Sequence, residues 1–232
     1  SKIVGRGKYV HEKITHTVLP SRGPEYAAAA EAYFSALKER YAELGGVKLT
    51  GSWETTIGSV GDFHHILEYE VYRGLDETSR ALRSDPVTEQ NRRCGNSLRL
   101  SFLISLQGEH QVVFEFSFWP SSPPRDSGYP GGGVFEMRSY RLQPGKATGN
   151  GESAGRRGLE ARRRFVQPVG AFFSQVGQLH EVHHIWQYPD METRKSTREQ
   201  AWSVGTWSET TVKLTQSMRS TIMVPCPWSP LR

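Results

Sequence analysis

A chain of 232 residues with 36% hydrophobic and 11% aromatic side chains has enough apolar material for a proper core, and its length suits one large domain or two small ones. No run approaches the ~20 consecutive apolar residues of a membrane-spanning helix, and Ser1 opens on a polar, basic stretch rather than an apolar signal segment. A net charge of +5 permits contact with nucleic acid or anionic lipid, but a mildly basic surface is more often a solubility feature, so no nucleic-acid role is expected. Cys94 and Cys226 lie far apart without paired metal spacing, which argues against a disulfide-built secreted scaffold.

In chain order, Tyr9 to Val18 alternates as a strand does, and Pro20 to Pro24 breaks it. Glu25 opens a helix whose apolar positions Tyr26, Ala30, Tyr33, Leu37, Tyr41 and Leu44 recur every three to four residues and stop at Gly45 and Gly46. Strands are predicted over Val47 to Ile57 and Asp62 to Tyr69, helices over Leu75 to Ser84 and from Pro86 toward Leu100, and a strand over Gln111 to Trp119. In that last strand Phe114, Phe116 and Phe118 share one face. Residues 120–133, rich in proline and glycine, carry no hydrophobic pattern and read as a linker. The order then repeats: a strand over Val134 to Leu142, a break at Pro144 and Gly145, and a weak helical zone to Phe165. A hairpin of Gly170 to Val176 and Glu181 to Tyr188 follows, then helical segments from Met191 to about Gln216 and a strand over Ser220 to Val224.

The second hairpin repeats the first. Gly51 corresponds to Gly170, Gly58 to Gly177, His64 to His183, His65 to His184, Ile66 to Ile185 and Tyr69 to Tyr188, always 119 residues apart. The expected fold is therefore α+β, two ferredoxin-like β-α-β-β-α-β repeats whose antiparallel sheets pack within one chain. Residues 1–119 form the first repeat, 120–133 the linker and 134–232 the second repeat.

Several runs of the second half carry a resemblance: Phe135-Glu136-Met137-Arg138-Ser139-Tyr140, Gly170-Ala171-Phe172-Phe173-Ser174-Gln175, Val182-His183-His184-Ile185-Trp186, and Arg194 to Trp202. Arg219 to Met223 and Ser229-Pro230-Leu231 add to it, as does Phe114 to Trp119 in the first half. With these the chain resembles the NIPSNAP family, specifically from about Val134 onward and more loosely before Gln111. The resemblance implies a tandem pair of dimeric α+β-barrel-type domains in a mitochondrial protein, in the matrix or peripheral to the inner membrane. It also implies a role in protein interaction, including mitochondrial quality control. The partners expected are other mitochondrial proteins, as in a large inner-membrane or matrix complex, with peripheral contact to anionic lipid. No cofactor and no catalytic residue is expected. One departure is Lys146 to Gly155, where the family has a tryptophan-bearing helix. Each interior glycine there costs a helix roughly 1 kcal/mol against alanine.

The histidines are the first candidates for chemistry. On strands the adjacent pairs His64-His65 and His183-His184 send one ring to each face, so that Phe63, His65, Leu67 and Tyr69 line one face and Val182, His184, Trp186 and Tyr188 its counterpart. His180 and His184 share a face but stand about 13 Å apart at ~3.3 Å per residue, too far to hold one ion. The leading expectation is one buried, hydrogen-bonded structural histidine per repeat. The alternative is an α+β-barrel enzyme or a binder of a haem-like ligand, using a sheet-helix cavity with His65, His184, Tyr69 and Tyr188. That alternative rests on related α+β-barrel enzymes, which include haem-degrading oxygenases.

Gly151-Glu152-Ser153-Ala154-Gly155 matches the esterase elbow literally, but no strand precedes it and no histidine follows Asp190, so it is read as a coincidence. Gly131 to Gly133 precede a strand, which is wrong for a phosphate loop. Arg156, Arg157, Arg162, Arg163 and Arg164 form the densest basic patch, by default a solvated face and otherwise a docking surface for an acidic partner or cardiolipin-like head groups. Trp119 and Trp228, each beside prolines, are candidate interface anchors.

Overall fold

The computed structural model describes residues 9–40, 43–84, 105–116, 129, 132–144, 159, 162–203 and 214–232. Among the described residues there are eight strands and three α-helices: β1 Val10–Val18, α1 Gly23–Glu39, β2 Lys48–Ile57, β3 Asp62–Tyr69, α2 Tyr72–Ser84, β4 Ser105–Glu115, β5 Val134–Leu142, β6 Gln167–Val176, β7 Glu181–Tyr188, α3 Met191–Ser203 and β8 Thr215–Pro225. The sequence pattern gives nearly all of them. The segment 85–100, where a further helix is predicted, and the glycine-rich zone 145–158 lie outside the described residues.

The strands close into a barrel in the order β1-β3-β2-β8-β5-β7-β6-β4, with all neighbours antiparallel. Each repeat contributes a four-stranded ferredoxin-like sheet, β4-β1-β3-β2 and β6-β7-β5-β8. Their outer strands pair with each other, β2 with β8 and β4 with β6, so neither sheet keeps a free edge. Instead of packing as two separate layers, the sheets become one wall with an interior.

Alternation along the strands sorts the core into three clusters. One fills the barrel and draws on both repeats, with Trp53, Ile66 and Val113 against Phe135, Met137, Phe172, Ile185 and Met223. The second lies between the first sheet and α1, where Pro24 and Glu25 start the helix and its spacing buries Tyr26, Ala30, Phe34 and Leu37 against Ile14, Phe63 and Leu67. The third covers the outer face of the second sheet and includes Tyr140, Leu159, Phe173, Val182, Trp186 and Tyr188.

Two strands begin well before the hydrophobic pattern does. β4 starts at Ser105 rather than Gln111 because its polar first half pairs with β1 residue by residue, as in Thr15 opposite Glu109 and Ile14 opposite His110. β8 starts at Thr215 rather than Ser220, with Ser217 opposite Arg141 and Met218 opposite Tyr140, although its first residues face solvent. Backbone pairing, not side-chain burial, holds these stretches in the sheet.

The internal repeat extends to irregularities. Register shifts occur just before Gly51 in β2 and just before Gly170 in β6, the two equivalent glycines. At each, the aromatic ring two residues on, Trp53 or Phe172, folds back over the glycine where a Cβ would sit. At Gly170 the distance from that position to the Phe172 ring is 2.5 Å, so any side chain must displace a core ring. Gly170→Val is expected to destabilise the protein by roughly 1–3 kcal/mol through overpacking, read as a lower urea midpoint. Replacing exposed Gln175 by Val in the same strand is expected to change it little.

Candidate functional site

On the outer face of the first sheet, β3 presents His65 to α1. Its Nε2 lies 2.8 Å from the Tyr26 hydroxyl and its Nδ1 2.8 Å from Ser52 Oγ, and the Tyr26 hydroxyl also meets His16 Nδ1 at 2.6 Å. Burial, and next the neighbouring His16, hold its pKa well below the usual histidine value. With both ring nitrogens engaged by neutral groups, His65 is a structural centre rather than a free base. Beside it Tyr69 donates to Glu12 at 2.9 Å, and the other Glu12 oxygen meets His110 Nδ1 at 2.7 Å.

The second sheet carries the matching pair. Tyr188 donates to Glu136 Oε2 at 3.2 Å, and β5 places Glu136 opposite Trp186 as β1 places Glu12 opposite Leu67. Here the carboxylate is fully buried and ringed by arginines. Arg138 donates at 3.0 Å and Arg194 at 2.7 Å to Oε1, Arg162 donates at 2.6 Å to Oε2, and Arg198 stands 4.0 Å from Oε1. Ser220 donates to Oε1 at 2.7 Å. Burial alone would raise the Glu136 pKa, but Arg162, Arg138 and Arg194 outweigh it and hold the carboxyl well below its usual range. Arg162 also lies 4.8 Å over the Trp186 ring, and Arg138 Nε donates to the Tyr140 hydroxyl at 2.7 Å. His184 sits between Tyr140 and Trp186; burial, then Arg138 and Arg162, lower its pKa to about 3. Burial pushes the Tyr188 hydroxyl up to about 12.

The other histidine of each pair points into the barrel. Thr15 Oγ1 lies 3.1 Å from His64 Nδ1, and Ser139 Oγ 2.8 Å from His183 Nδ1, a second contact that the two repeats share. His183 Nε2 reaches Gln111 Oε1 at 3.0 Å, and that glutamine donates to Glu181 at 3.0 Å. These groups surround a mouth of about 630 Å³ at one end of the barrel, where Lys13 and Arg219 face Asp62, Glu109 and Glu181. The charges of both signs leave the mouth without a strong preference for either. Among the described residues, no three His, Cys, Asp or Glu side chains converge to hold an ion. His180 lies in the β6–β7 turn at φ 63°, off the strand that carries His183 and His184.

Of the remaining predicted positions, Arg162 turns away from the solvated patch and is buried on Glu136, whereas Arg163 and Arg164 are exposed. Arg156, Arg157 and Trp119 lie outside the described residues. Trp228 lines a surface groove with Phe34, Leu37, Val47 and Leu49. The sequence reading named Arg162 but missed Glu136 and the other three arginines around it, Arg138, Arg194 and Arg198. A usable signal existed: extending the 119-residue correspondence past the hairpin aligns Thr78 with Thr197, both buried, and sets Arg194 against Leu75 and Arg198 against Ser79.

Two ferredoxin-like repeats closed through their edges define a dimeric α+β-barrel protein whose two halves lie in one chain. Consistent with this, a monooxygenase-like protein of Lactobacillus acidophilus superposes with a TM-score of 0.63 over 94% of both chains, at 12% identity, a likeness of fold alone. Residues 135–230 match the NIPSNAP family model. The human protein NipSnap homolog 2 is 37% identical over 79% of this chain, and the Drosophila melanogaster protein NipSnap is 29% identical over 99% of it. Residues 135–230 thus match the NIPSNAP family, and the chain as a whole is similar to NipSnap proteins over most of its length. It spans 62% of the length of the human relative and 81% of the Drosophila one.

The site yields two predictions. His16, His64, His65, His183 and His184 all have folded-state pKa values below the usual 6.5, with burial as the first cause. The unfolded chain therefore binds protons that the folded chain refuses. Stability is full above about pH 6.5 and falls toward pH 4, by up to about 1.4 kcal/mol per pH unit for each histidine. Urea unfolding at pH 7.5, 6 and 5 should show this decline, and a flat profile would contradict it. Separately, Glu136→Gln leaves its arginines without a counter-charge and is expected to cost about 3–5 kcal/mol in the same assay.

Proposed function

We propose that this protein is a non-catalytic interaction protein of NIPSNAP type, a scaffold or accessory subunit in a larger mitochondrial assembly. One observation carries the reading: an apolar surface groove of about 690 Å³ between α1, the start of β2 and the C-terminal segment. Its floor is Phe34, Leu37, Val47, Leu49, Trp228 and the flanking prolines Pro227 and Pro230. Trp228 is half-buried in this floor, a large aromatic side chain of the kind that anchors protein interfaces. At the rim Lys38, Lys48 and Arg232 outnumber Glu31. The occupant that fits is a segment of another mitochondrial protein with apolar anchors and acidic flanks. The likeness to NipSnap proteins and the basic composition support a setting in the matrix or on the inner-membrane surface. The neutral, fully engaged His65 supports a binding role over general-base catalysis.

Replacing Trp228 with a photo-crosslinking residue tests the reading in the native assembly. The expected result is one discrete cross-linked partner and a gently extracted particle larger than the chain, both lost on Leu49→Glu. A wild-type chain that runs as a free monomer in such an extract would sink the reading.

A further inference from the structure

Around the shared glutamate–tyrosine pair the two repeats differ most in charge. Where the first has Ile14, Leu75 and Ser79, the second has Arg138, Arg194 and Arg198 at the corresponding positions of β5 and α3. With Arg162 they bring four guanidinium groups to the single carboxylate of Glu136, a surplus of three positive charges among the described residues. A buried charge without a counter-charge costs several kcal/mol, so such a surplus calls for an anion.

Donors remain to hold one. Arg162 is 5% exposed, and its Nε, like the Nε of Arg194, has no hydrogen-bond partner among the described residues. The cluster also has an entrance, since the Arg194 and Arg198 side chains are 15% and 26% exposed while Glu136 is sealed beneath them. Planar guanidinium forks match the oxygens of a phosphate, and a dianion reduces the surplus from three to one where a monocarboxylate leaves two. Trp202, stacked 5.2 Å from Arg198 and 60% exposed, offers an apolar shelf beside the entrance.

We propose that the Arg138, Arg162, Arg194 and Arg198 cluster of the second repeat receives the dianionic phosphate group of a small soluble phosphomonoester carrying an apolar or planar body. The first repeat, with the same Glu–Tyr pair but neutral residues at the three matching positions, has no such site.

The probe is phenyl phosphate, titrated calorimetrically into the full chain at constant ionic strength, with benzoate as the monoanion control. The expected result is saturable binding with a higher Tm, weak or no binding of benzoate, and at least a tenfold loss of affinity in Arg194→Leu/Arg198→Ser, which carries the first repeat's residues. Without ligand, that variant is expected to be as stable as the wild type or more so, because repulsion is relieved; arginines with a purely structural role would lose stability. Should the double variant fail to fold, Arg198→Ser alone, on the solvent side, carries the test. The proposal is overturned by an absence of saturable binding, by unchanged affinity in the variant, or by benzoate binding as tightly as phenyl phosphate. Arginine-dependent binding of anionic phospholipid vesicles without binding of phenyl phosphate would overturn it too, by assigning the cluster to a membrane surface.

Discussion

The pairing of β2 with β8 and of β4 with β6 is the constraint on which the rest of the molecule depends. A lone ferredoxin-like sheet has two exposed edges and one face without helices. Joining the edges removes both problems at once: the backbone groups of four strands find partners, and the uncovered faces become an interior. Trp53 then meets Phe135 at 5.5 Å and His11 meets Phe172 at 5.0 Å, aromatic contacts between repeats that neither sheet could make alone. The interior is thus a shared core, and its polar mouth follows from the same closure, since Gln111 of one repeat and His183 of the other are set within hydrogen-bond reach.

Closure also explains which features the repeats keep. The glycines under Trp53 and Phe172 permit the bulges that bend β2 and β6 at equivalent points, and a curved wall needs such bends. The Thr15–His64 and Ser139–His183 contacts recur because both face the lumen, where an unpaired polar atom is costly. Burial keeps these histidines neutral, so each meets its threonine or serine as an uncharged ring and avoids the larger desolvation of an imidazolium.

The hairpin repeat was visible in the sequence because strands have a fixed period of two, and a gapless correspondence over 19 residues carries facing, register and turns together. The opposite facing of His64 and His65 follows from it directly. The starts of β4 and β8 were hidden, since Ser105–His110 and Thr215–Arg219 have no apolar alternation and are placed by pairing with distant strands. Glu136 was hidden for a related reason. On β5 the helix-facing positions read Glu136, Arg138 and Tyr140, which by local pattern is a solvent face; its partners Arg162 and Arg194 lie 26 and 58 residues away. Glu12 and Glu136 are 124 residues apart rather than 119, so the hairpin's correspondence does not align them.

The division between a shared interior and separate outer faces decides where the chain can differentiate. A substitution in the lumen acts on contacts made by both repeats, as at Gln111, which binds Glu109 of its own repeat and Glu181 and His183 of the other. Cys226 packs into the apolar cluster of the first outer face and Phe116 into that of the second, but the polar network on each outer face draws on one repeat alone, so it can change with less disturbance to the closure. Both faces keep the glutamate–tyrosine pair; the first sets beside it a network of neutral groups centred on His65 and Tyr26, whereas the second gathers guanidinium groups around it. Charge of one sign can accumulate only where it does not have to be satisfied twice over by a pseudo-symmetric neighbour. The barrel supplies that condition by placing its two helix-covered faces on the outside of one closed wall.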